Sequence, residues 1–141
     1  MTKPVIGAKL KNFQEHEVER ILGACTRCGK CYEACPMTQY SKAPASDSKA
    51  VVEGVLAVLR GEQGSPEALG WLSVCMRSGV CVPACPHNVD PRMMMRLARM
   101  TALGGRGLPA QMHQKEDRDY FDRIRAFGKL QLSEDEYKKW T

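Results

Sequence analysis

The chain has 141 residues, 43% hydrophobic and 6% aromatic, with 21 Lys and Arg against 16 Asp and Glu for a formal charge of +5. That is about one domain's worth of chain, and Gly 12, Pro 8 and Met 8 suit a small helical protein without large aromatic core blocks. No run is long and apolar enough to cross a membrane, and the start MTKPVIGAKLKNFQEHE lacks the apolar stretch of a secretory signal, so a cytoplasmic location is expected.

In chain order, KPVIG is only a weak strand token, and FQEHEVERILGA brings Phe13, Val18, Ile21 and Leu22 onto one apolar side of a helix. Gly23 weakens its last turn just before Cys25. Asp47 is the expected N-cap of a helix through SKAVVEGVLAVLRG, where Val51, Val55 and Leu59 share a face, and Gly61 and Gly64 stop it. Ser65 caps a shorter helix with Pro66 in its first turn, and Leu69, Trp71 and Leu72 lead into Cys75. Asp90 and Pro91 open another, ending at Gly104 and Gly105, with Met93, Leu97 and Met100 at helical spacing and Arg92, Arg96 and Arg99 opposite. Core packing is the expected role of its methionines.

Past Gly107 the chain becomes strongly charged yet ring-bearing, with Tyr120, Phe121, Phe127, Tyr137 and Trp140, and Ser133 with Glu136 reads as a capping box. The expected organisation is all-α, with a helical domain over 1–106 and a helical tail over 107–141 that docks on a partner or lies back across the domain.

Seven cysteines occupy two runs that align at an offset of fifty, CTRCGKCYEACP from Cys25 and CMRSGVCVPACP from Cys75. An odd, clustered set in a reducing compartment reads as metal ligands rather than disulfides. Structural zinc sites pair two short knuckles across a longer loop, whereas the first run strings three short spacings together and ends in proline, the pattern of iron–sulfur ligation. In two-cluster ferredoxins the fourth cysteine of such a run serves the other cluster. The expected assignment is therefore crossed: Cys25, Cys28, Cys31 and Cys85 for cluster I, and Cys35, Cys75 and Cys81 for cluster II. Ser78 stands where Cys28 predicts a fourth thiol and remains a candidate ligand; His87 lies outside the repeat and is not expected to ligate. No dinucleotide fingerprint, phosphate loop or nucleophile elbow is present, so no catalytic residue is expected.

The two runs, each flanked by helices, resemble the alpha-helical ferredoxin module of the small iron–sulfur subunit of heterodisulfide reductases and of succinate dehydrogenase and fumarate reductase iron–sulfur subunits. The resemblance covers roughly residues 12–104. It implies a non-catalytic protein that passes electrons between a flavin-bearing partner subunit and a catalytic partner subunit in thiol/disulfide or sulfur metabolism. A freely diffusing dicluster ferredoxin and a subunit of a quinone-linked dehydrogenase are the alternatives. The resemblance implies a [4Fe-4S] cluster on Cys25, Cys28, Cys31 and Cys85; the run Cys75, Cys81, Cys85, Pro86 without a second cysteine resembles the three-iron run of succinate dehydrogenase, so the second cluster is expected to be [3Fe-4S] or [4Fe-4S]. Clusters of about −2 each would bring the folded charge to about +1, which argues against a nucleic-acid partner.

Overall fold

The computed structural model describes the backbone of residues 3–113 and 120–140, with side chains described for 7–113 and 121–140. It contains α1 (Lys3–Ala24), α2 (Lys30–Ala34), a 3-10 turn (Thr38–Tyr40), α3 (Ser48–Leu59), α4 (Pro66–Val74), α5 (Pro91–Ala102), α6 (Tyr120–Gln131) and α7 (Glu134–Trp140), and no strand among the described residues. The expected caps form. Asp47 accepts from the backbone N–H of Lys49 and Ala50, Ser65 from that of Ala68, and Asp90 from that of Met93, each satisfying donors that a first helical turn leaves free.

Two elements depart from expectation. KPVIG begins α1 rather than a strand; Pro4 sits in the first turn, where a missing amide costs no hydrogen bond. Phe13 is 52% exposed, while Val18 and Ile21 are buried, so the apolar face of α1 becomes a core face only in its last turns.

The core centres on α3, whose Val51, Val52, Val55, Leu56, Val58 and Leu59 are all buried. It packs against α2, α4 and α5, and α5 also meets α1. Trp71 of α4 meets Tyr32 of α2 edge to face with ring centroids 5.1 Å apart. The Tyr32 hydroxyl in turn accepts from the Ala45 N–H at 3.1 Å, tying the loop before α3 to the first cysteine run.

Beyond α5 the chain continues across the same body. Gln111 accepts from the Gly64 N–H at 2.7 Å and donates to the Glu62 carbonyl at 2.9 Å, while its own N–H reaches the Ala102 carbonyl at 2.7 Å. Residues 114–119 of the tail, and the Tyr120 side chain, lie outside the described residues. Ala126 of α6 joins the core cluster, whereas Phe121 and Trp140 stay 69% and 51% exposed. The capping box before α7 closes both ways: Glu136 accepts from the Ser133 N–H at 2.8 Å, and Ser133 Oγ accepts from the Glu136 N–H at 3.3 Å.

Because Leu56 is fully buried in the central helix, Leu56→Ala should cost about 2–5 kcal/mol of unfolding free energy. Urea titration followed by circular dichroism measures it; a loss below about 1 kcal/mol would contradict α3 as the centre of the core.

Candidate functional site

The two cysteine runs bend alike. Arg27 and Arg77, two residues after the first cysteine of each, have φ 61° and 59°, and Gly29 and Gly79 have φ 78° and 79°. A Cβ on Gly29 would lie 2.4 Å from Ser48 Oγ, so the first run needs glycine for the close approach of α3 as well as for its backbone. The runs diverge four residues later. In the first, the Glu33 N–H donates to the Gly29 carbonyl and α2 forms; in the second, Pro83 stands at the matching place with no N–H to donate, and residues 80–84 are a turn. The closing bonds still correspond, Cys35 N–H to Tyr32 and Cys85 N–H to Val82.

The structure brings the cysteines together across the runs. Cys25, Cys28, Cys31 and Cys85 line one pocket with Val52, Pro91 and Met94. Cys35, Cys75, Cys81 and Ser78 line a second with Met37, Trp71 and Met95. The consecutive methionines of α5 thus face different pockets, Met94 the first and Met95 the second. Ser78 Oγ accepts from the Val80 N–H at 3.5 Å.

These groupings do not make the metal centres expected from the sequence. Among the described residues no group of three or more His, Cys, Asp or Glu could hold a metal ion. The expectation of a [4Fe-4S] cluster in the first site and a [3Fe-4S] or [4Fe-4S] cluster in the second is therefore corrected. The physical reasons are room and charge. Each pocket has a cavity volume of about 20 Å³, space for about one water. Burial also favours the protonated thiols of Cys25, Cys31, Cys75 and Cys81, whereas a metal ligates the thiolate.

Burial pushes the Cys31 thiol from the usual 9.0 to about 12, with Cys81, Cys25 and Cys28 adding repulsion against a negative charge. Burial likewise lifts Cys81 to about 11, helped by Cys75 and Cys35. Cys25 and Cys75 are raised for the same first reason, partly offset by the backbone N–H of Arg27 and of Arg77 respectively. The repulsions run Cys25 to Cys85 and Cys75 to Cys35, the same crossing that the pocket walls show.

Charges flank the two sites unequally. Arg27 binds Glu53, which also takes Arg60 at 2.8 Å, and Arg60 reaches Glu62 at 2.9 Å. Arg27 first and Arg60 second hold the Glu53 carboxyl below the usual carboxylate range. On the second side Arg99 donates to the Cys75 carbonyl at 3.2 Å. Trp71, which sequence patterning assigns only to packing, also belongs to the site: its indole Nε1 is buried without a partner among the described residues, on the wall of the second pocket. The only signal for this in the sequence is the placement of an indole just ahead of Cys75.

Residues 24–89, which include all seven cysteines, match the family model described as a 4Fe-4S dicluster domain. A search of curated proteins and a search of solved structures find no match. With an all-helical fold, the family match points to an iron–sulfur, ferredoxin-like family and to no individual complex.

The raised thiols carry a signed pH dependence. Below pH 9 folded and unfolded chains both keep these protons; above it the unfolded thiols ionise first, so stability should fall as pH rises from about 9 towards about 12. At pH 8, Cys31 and Cys81 of the folded chain should react with iodoacetamide at least about tenfold more slowly than in urea, read by peptide mass spectrometry. Equal rates would contradict their burial.

Proposed function

We propose that the protein is an electron-transfer component of a heterodisulfide-reductase-like complex, placed between a flavin-bearing subunit and a catalytic subunit that acts on thiols or disulfides. The observation that carries the class of function is the dicluster-domain match over the stretch holding every cysteine. The finer placement rests on the resemblance of the two runs to the small iron–sulfur subunit of heterodisulfide reductases. It rests also on the tail, where Phe121, Leu130 and Trp140 remain exposed within a short, strongly charged stretch. No cluster type enters this reading, and the chain's own residues supply position: two cysteine-lined pockets that both touch α5, the second of them lined also by Arg77 and Arg92. None of the described helices is long and apolar enough to cross a membrane, and a cytoplasmic site of action is part of the proposal.

Anaerobic affinity purification of the full chain should bring down a flavin-bearing partner in near-stoichiometric amount, with flavin measured after acid release. Truncation after Gly107 should abolish that co-purification if the tail is the docking element. A flavin-free eluate would overturn the placement in a flavin-linked complex, and co-purification that survives truncation would overturn docking through the tail.

A further inference from the structure

A cavity beside the second cysteine site contains no cysteine. It has a volume of about 240 Å³ and is lined by Arg77, Asp90, Arg92, Met93 and Arg96, against about 20 Å³ for the second cysteine pocket, with which it shares Arg77 and Arg92. The three arginines come from two elements, the loop of the second run and the exposed face of α5. Arg92 lies over Gly79: a Cβ there would sit 3.2 Å from Arg92 Nη1, so the missing side chain lets the guanidinium close on the loop.

The matching arginine of the first run is neutralised, Arg27 by Glu53. Among the described residues no hydrogen bond or ion pair engages the side chains of Arg77, Arg92 or Arg96. Asp90 is the one carboxylate on the wall, and it already accepts from the Met93 N–H as the cap of α5. Three guanidinium charges against one carboxylate leave the recess at +2. Like charges gathered on a concave wall raise the local concentration of anions, and the planar fork of arginine matches the oxygens of a phosphate.

We propose that this recess binds a small phosphate-class dianion, free or as the terminal group of a small molecule, and so holds a negative group against the rim of the second cysteine pocket. The inference stands on the cavity and its charges and does not depend on the electron-transfer reading.

Calorimetric titration of the full chain with inorganic phosphate, in about 0.15 M chloride so that weak surface attraction is screened, should show saturable binding with Kd below about 1 mM. A parallel titration with phenyl phosphate distinguishes the sources: tighter binding of the ester identifies a terminal phosphate, and tighter binding of the inorganic ion a free one. Arg92→Gln with Arg96→Gln should weaken binding at least about tenfold, while Arg125→Gln, on α6 beside Asp122, should leave it unchanged. Because the recess arginines are exposed and unpaired among the described residues, the thermal midpoint should stay within a few degrees; Arg77→Gln, on the other element, reads the same loss if the double variant unfolds. Absence of saturable binding for both probes, or binding indifferent to substitution of the recess arginines, would overturn the proposal.

Discussion

Burial of α3 on nearly every side sets the geometry of everything else. Six of its twelve residues are buried aliphatics, and the helix can satisfy them only by being enclosed between α2, α4 and α5. Enclosure brings the first cysteine run, which ends in α2, against the second run, which α4 delivers and α5 follows. The close approach of Gly29 to Ser48 marks how tightly the first run is pressed onto that helix. Cysteines from the two runs, about forty to sixty residues apart in sequence, then share pocket walls because the helices between them are packed, not because the cysteines attract one another; ionised, they would repel.

Much of this is written in local signals. Asp47, Ser65 and Asp90 each sit one residue before a helical stretch and cap it, and the aligned runs reproduce each other's positive φ values at Arg27 and Arg77 and at Gly29 and Gly79. Other features depend on what packs where. Phe13 has the spacing of a core residue but stands on an earlier turn of α1, where it is 52% exposed. Pro83 separates α2 from the turn at 80–84 by a single absent amide, a difference that cysteine spacing conceals. Ser78 takes its place on the second pocket wall beside Cys81, so its alignment with Cys28 holds in space as well as in sequence.

Cysteine spacing by itself points directly to metal ligation, and there the structure is more restrictive than the pattern. Spacing says which thiols can face one another; it does not say how much room lies between them or whether they are ionised. Pockets of about 20 Å³ and the burial that pushes the Cys31 and Cys81 thiols up are properties of the packed chain, and neither leaves a mark in the motif. The same packing separates the two sites chemically. Glu53 on α3 cancels the arginine beside the first pocket, while α5 presents two more arginines beside the second, so the pseudo-repeat carries one neutral rim and one positive one. Charge, rather than cysteine count alone, distinguishes what each side of the molecule can meet.

The crossing of the two runs is the claim on which the site rests. Treatment of the reduced chain with a short bis-thiol crosslinker, followed by peptide mass spectrometry, tests it directly. Linkage of Cys85 to Cys25 or Cys28, and of Cys35 to Cys75, is the expected result. Linkage of Cys35 to Cys25 and of Cys85 to Cys75, each run closing on itself, would contradict it.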